Sequence, residues 1–170
     1  RGLIGFTSFS QDMRLRGYQP SSRVLKLQLT QVDESLQRVL KIGPKDLAIH
    51  LVRLRMADGH PVALQSAYLP HARCPGLENE DLTNLSLYSV LREKYYVDPA
   101  WTEAEMEARP ATPDEARLLQ IEKNDPVLVV KGITFTDSFE VVESVRTVYR
   151  GKGLALYIGR QRISSLDRSI

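Results

Sequence analysis

With 170 residues, 42% of them hydrophobic and 26% charged, the chain has the composition of one globular domain, not of a disordered or fibrous segment. Its 23 basic and 21 acidic residues leave a formal charge of +2, which gives no support for an extended nucleic-acid footprint. A lone cysteine, Cys74, excludes an internal disulfide and suits a reducing cytoplasm. No apolar run reaches membrane-spanning length, and His50, His60 and His71 lack metal-ligand spacing, so neither a membrane partner nor a metal or other cofactor is expected.

The chain opens on RGLIGF, which reads as the start of a piece cut from a longer protein and not as a signal peptide. In GFTSFSQDMRLRG, residues 5–17, the hydroxyls of Thr7, Ser8 and Ser10 lead into a basic helix expected over roughly 10–16. Two uses of those hydroxyls stay open. Ser8 and Gln11 have capping-box spacing, and hydroxyls beside the positive end of a helix also form a seat for phosphate or carboxylate. Gly17 and Pro20 stop this helix, and VLKLQLTQV from Val24 alternates with period two, as a half-buried strand does. Asp33 caps a short amphipathic helix carrying Leu36, Val39 and Leu40, which Gly43-Pro44 ends.

LAIHLVRLRM and PVALQSAYLP follow as two strands joined through ADGH, where Asp-Gly marks a hairpin. SLYSVLREKYY is a helix with Ser86 at its start and Leu87, Val90 and Leu91 on one face, and WTEAEMEA is a strand. Thr112-Pro113-Asp114-Glu115 combines an N-cap threonine, proline at the first helical position and a capping-box glutamate, the best helix start in the chain. After ARLLQI and the turn at Asn124-Asp125-Pro126, three strands come in succession: PVLVVKGITF, EVVESVRTVYR and LALYIGRQR. Hairpins early and late, with helices between them, indicate an α+β domain with a largely antiparallel sheet.

Period two places Arg53 and Arg55 on one face of their strand, with Val52, Leu54 and Met56 on the other. The hairpin loop decides which face Gln65 shares. A three-residue loop, Ala57-Asp58-Gly59 with Gly59 left-handed, sets Gln65 beside the arginines between small Ala63 and Ala67; a two-residue loop leaves it among Val52 and Leu54 without a polar partner. The three-residue loop is therefore expected. The same parity puts Glu143 and Tyr149 on one face of a late strand. Spacing alone also fits a solvated sheet face with chance ion pairs.

TSFSQDMRLRG, RLRMADGHPVALQSAYLP, SLYSVLREKYYV, ATPDEARLLQI with PVLVV, and VYRG after Glu143, in this order over nearly the whole chain, resemble the UTRA effector-binding domain of GntR-type transcriptional regulators of the HutC subfamily. The resemblance implies a chorismate lyase-like α+β fold, with a six-stranded, largely antiparallel sheet and flanking helices. It implies that residues 1–170 form one ligand-sensing domain. A winged helix-turn-helix, absent from this chain, would precede that domain and bind operator DNA as a homodimer. It further implies a non-catalytic pocket for a small anionic metabolite, a sugar phosphate or a carboxylate. Phosphate would sit against Thr7, Ser8 and Phe9, the arginines Arg53 and Arg55, and Ser86 with Tyr88, and the organic part would reach Gln65, Glu143 and Tyr149. The chain departs from the family pattern at Gln65, where a glutamate is common, and at Lys152-Gly153, in place of an acidic-basic pair. An enzyme of the chorismate lyase type, or a domain that only dimerises, are the rival readings.

Overall fold

A computed structural model describes residues 9–152. Thr7, Ser8 and the expected strand LALYIGRQR lie outside the described residues. In chain order the elements are α1 (Phe9–Leu15), β1 (Pro20–Thr30), α2 (Glu34–Leu40), β2 (Ala48–Ala57), β3 (His60–Pro70), α3 (Leu87–Tyr95), β4 (Trp101–Pro110), α4 (Pro113–Leu119), β5 (Pro126–Phe135) and β6 (Val141–Arg150), with 3-10 turns at His71–Arg73 and Leu77–Asn79. Six of these strands form one sheet in the order β1-β2-β3-β6-β5-β4, every neighbouring pair antiparallel. The expectation of α+β with an antiparallel sheet is thus met.

Both faces of the sheet are clothed. On the front face, Ile49, Leu51, Ala67 and Leu69 pack under Leu77, Leu82, Leu87 and Leu91, so α3 and the 3-10 turns lie over β2 and β3. On the back face, Ala116 and Leu119 of α4 cover Leu54, Val127, Val129 and Val148, while Leu40 of α2 covers Ala48 and Val141. Each fully buried Leu or Val contributes roughly 1.5–3 kcal/mol, and these clusters fix the helices against the sheet.

The helix starts follow their sequence signals. Asp33 accepts from Leu36 N at the head of α2, Ser86 accepts from Ser89 N at the head of α3, and both bonds of the Thr112–Glu115 capping box are made at α4. Of the helix ends, α1 stops as expected, just before left-handed Gly17 (φ 83°), whereas α2 does not end where expected. The helix α2 stops at Lys41, before Gly43-Pro44, because Lys41 turns left-handed (φ 54°) and its N–H closes on the carbonyls of Gln37 and Arg38. Tyr96 and Gln120 end α3 and α4 in the same left-handed conformation.

The β2–β3 hairpin corrects one expectation and keeps its consequence. Ala57 pairs with His60, so the loop has two residues, Asp58 and Gly59, at φ 49° and 77°, the double positive φ that Asp-Gly supplies. A two-residue loop alone would have set Gln65 on the wrong face. Yet Met56 pairs with Pro61 and Arg55 with Ala63, leaving Val62 without an opposite number; this bulge shifts the register by one and restores the pairing of Arg53 with Gln65.

Candidate functional site

The register lines up a polar row across the front face. Arg53 stands opposite Gln65, Gln65 opposite Thr147, and in the next row Arg55 stands opposite Ala63 and Ala63 opposite Tyr149. Glu143, on the same face of β6, is opposite Thr134 of β5. Arg53 and Arg55 are only 4% and 2% exposed, and Glu143 only 3%. Charged side chains this deep are rare unless paired, so the partners of each decide what the patch is for.

Arg53 donates from Nη1 to the Leu85 carbonyl at 3.1 Å and from Nη2 to Gln65 Oε1 at 3.2 Å. The first bond ties β2 to the residue just before Ser86, which brings the start of α3 to the rim of the patch. Arg55 donates from Nη2 to Ser10 Oγ at 3.4 Å, and its guanidinium carbon lies 4.5 Å from the centre of the Phe9 ring, a cation–π contact that anchors α1. The remaining guanidinium nitrogens are different. Arg53 Nε, Arg55 Nε and Arg55 Nη1 are buried and have no hydrogen-bond partner among the described residues. Burial pulls Arg53 down to about 10, held up by Glu143 and Tyr88; burial and then repulsion from Arg53 pull Arg55 to about 9, held up by Tyr149. Both remain cations at neutral pH.

Glu143 does not quench them by hydrogen bonding. Its Oε1 accepts from the Tyr88 hydroxyl at 2.6 Å and from Thr134 Oγ1 at 3.5 Å. Burial pushes the Glu143 carboxyl up, against the Tyr88 bond and the Arg53 charge, which pull it down; burial and the neighbouring carboxylate raise the Tyr88 phenol, which stays neutral. Chemically, the patch is two buried cations with open N–H groups, one carboxylate engaged by hydroxyls, and a half-buried amide between them. It is equipped to hold an oxyanion at one end and a polar body at the other.

Of the residues singled out from the sequence, the fold gathers Phe9, Arg53, Arg55, Gln65, Tyr88 and Glu143, with Tyr149 beside Arg55 and Ser86 at the rim, its hydroxyl capping α3. Sequence reasoning missed the Leu85 carbonyl, Thr134 and Thr147, whereas Ser10 is one of the hydroxyls it set at the start of the first helix. Thr147 shares the parity of Glu143 and Tyr149 and could have been found; Thr134 becomes visible only through its cross-strand pairing with Glu143. Near the carboxyl end, Lys152 lies 3.7 Å from Asp125.

A groove of about 700 Å³ opens on the back face beside α2, lined by Leu36, Val39, Ser66, Tyr68, Lys131 and Arg146 among others. Its cations are paired: Lys131 reaches Glu105 and Glu107, and Arg146 reaches Glu115. Nothing there matches the open guanidinium nitrogens of the front face.

Comparison with known proteins identifies the family and the fold. The UTRA domain model matches residues 15–154. The HTH-type transcriptional repressor NagR of Bacillus subtilis (strain 168) is 32% identical over 151 residues, 89% of this chain and 62% of that protein. The histidine utilization repressor of Pseudomonas putida is 28% identical over 88% of this chain and 59% of that protein, so the chain spans less than two thirds of the length of these curated relatives. The crystal structure of the effector domain of PhnF from Mycobacterium smegmatis superposes with a TM-score of 0.87 at 22% identity, covering 95% of this chain and 99% of that one. That likeness establishes the fold, which is chorismate lyase-like. A six-stranded antiparallel sheet with this helix arrangement and a family match across most of its length leave one assignment: the chain belongs to the UTRA domain family, the effector-binding domains of GntR-type transcriptional regulators of the HutC subfamily.

Proposed function

We propose that the front-face patch binds a small anionic metabolite and that its occupancy adjusts operator binding by a helix-turn-helix part of the full-length regulator. The relatives are named as transcriptional repressors and are longer than this chain, which supports the second half of that reading. The observation that carries the first half is the open hydrogen-bonding capacity of Arg53 and Arg55, both almost completely buried. A buried cation with unpartnered N–H groups is costly to the fold, and an oxyanion relieves that cost through charge-assisted bonds contributing roughly 1.5–3 kcal/mol each. No proton-transfer or nucleophilic role is assigned to any residue of the patch. Phe9, Arg53, Arg55, Gln65, Ser86, Tyr88, Glu143 and Tyr149 are the proposed contacts, together with Thr7 and Ser8.

A thermal-shift screen of sugar phosphates, amino-acid derivatives and carboxylic acids would find the ligand class, and calorimetry on Arg53→Ala would test the site. Affinity at least tenfold weaker, with the fold intact, is expected; unchanged affinity removes that arginine from the site. Release of pyruvate from chorismate would instead support the enzyme that shares this fold. The working protein is read as a cytoplasmic homodimer, since operator half-sites are read by symmetric pairs. Light scattering that shows only monomer at high micromolar concentration would count against the dimer.

A further inference from the structure

Gln65 sits at the centre of the polar row, between Arg53 on β2 and Thr147 on β6. Chemistry fixes which way its amide faces. A guanidinium has donors only, so the Gln65 atom 3.2 Å from Arg53 Nη2 is the carbonyl oxygen Oε1, and the N–H₂ group is turned away from Arg53. That N–H₂ has no hydrogen-bond partner among the described residues. Along β3 its front-face neighbours are Ala63 and Ala67, both buried and both ending at Cβ, so Gln65 rises between two side chains too short to cover it. The local charge is net positive: two guanidiniums face a single carboxylate, Glu143, whose Oε1 is already held by Tyr88 and Thr134.

We propose that Gln65 determines specificity by donating its amide N–H to an uncharged acceptor, a hydroxyl or carbonyl oxygen, on the body of the anionic effector, and that it disfavours an ammonium group there. This rests on the reading of Arg53 and Arg55 as the oxyanion seat. An ammonium placed at Gln65 would meet N–H donors instead of acceptors and would stand beside two cations. A carboxylate at position 65 would still accept from Arg53 with one oxygen but would turn its second oxygen the same way, reversing the preference.

The test uses three probes, inorganic phosphate, glucose 6-phosphate and glucosamine 6-phosphate, which carry the same oxyanion and differ in whether a hydroxyl or an ammonium follows. Each is titrated calorimetrically into the wild type and the Gln65→Glu, Gln65→Met and Arg55→Met variants. The wild type should bind glucose 6-phosphate more tightly than phosphate and at least tenfold more tightly than glucosamine 6-phosphate. Gln65→Met should bind glucose 6-phosphate no better than phosphate, and Gln65→Glu should favour the amino sugar. The same probe order in the wild type, Gln65→Glu and Gln65→Met, or a wild type that gains nothing from the sugar or prefers glucosamine 6-phosphate, overturns the role of Gln65 while leaving the arginine seat standing. Phosphate and both sugars binding Arg55→Met as well as the wild type would remove the seat itself, and the proposal with it.

Discussion

On opposite faces of one sheet the domain places two clusters made from the same ingredients, two arginines and a glutamate. On the back, Glu115 is saturated: Oε1 accepts from Arg109 Nη2 at 2.7 Å and Arg146 Nη2 at 3.3 Å, and Oε2 accepts from Arg109 Nη1 at 2.8 Å and Thr112 N at 2.9 Å. Its carboxyl is held down at about 2, chiefly by the Arg109 hydrogen bonds. On the front, among the described residues, neither arginine hydrogen-bonds to Glu143, and three buried guanidinium nitrogens stay open. The difference teaches how to read a buried charge. Where the carboxylate accepts from both neighbouring cations, as Glu115 does, the cluster joins elements, here α4 to β4 and β6. Where buried donors are left over, as at Arg53 and Arg55, the role proposed above is to receive a ligand from outside the fold.

Removing the carboxylate from each cluster in turn, or its cations, should separate the two roles. The largest effect is expected at Glu115→Ala, which strips Arg109 and Arg146 of their partner and breaks the capping box; a loss of about 2–4 kcal/mol in chemical denaturation, with phosphate affinity within twofold of wild type, is the expected outcome. Arg55→Met should do the reverse. Replacing a buried, incompletely satisfied cation by an apolar chain of similar length should leave stability unchanged or raise it by about 1 kcal/mol, while phosphate affinity falls at least tenfold. Loss of stability at Arg55→Met comparable to that at Glu115→Ala would mean that the front cluster, too, is structural.

Acid sharpens the contrast. The Glu115 carboxyl is depressed in the folded state from an ordinary 4.5 to about 2, so its contribution is present in full above about pH 4.5 and is lost as pH falls toward 2. Discounted for the partial exposure of its partners, that contribution is about 1–2 kcal/mol, and Glu115→Gln should flatten the stability profile across this window. The smallest effect belongs to Thr112→Ala, which removes one capping bond at α4 and should cost about 1 kcal/mol by thermal unfolding without altering phosphate binding.

What was legible in the sequence was what depends on neighbours in the chain. The Thr112–Glu115 capping box lies within one turn, and the shared face of Arg53 and Arg55 needs only the period of a strand. The links that finish each cluster span the chain: Arg146 to Glu115 across 31 positions, Tyr88 to Glu143 across 55. The hairpin shows the boundary between the two kinds of information. Asp-Gly suits a two-residue loop, which the expectation of three residues set aside to keep Gln65 with the arginines; the bulge at Val62 that achieves this is a property of how β2 and β3 pair. Helix ends divide in a related way: Gly17 stops α1 as its residue type indicates, but Lys41, Tyr96 and Gln120 adopt left-handed caps that composition assigns first to glycine.

The central claim, that the open nitrogens of the front cluster are a ligand seat, is tested most directly by thermal unfolding in rising inorganic phosphate against chloride at matched ionic strength. Binding to the folded state alone raises the melting temperature with the logarithm of phosphate concentration. The account predicts that rise for the wild type and for Glu115→Gln, and its absence for Arg55→Met. A wild type insensitive to phosphate, or an Arg55→Met variant stabilised as strongly as the wild type, would contradict it.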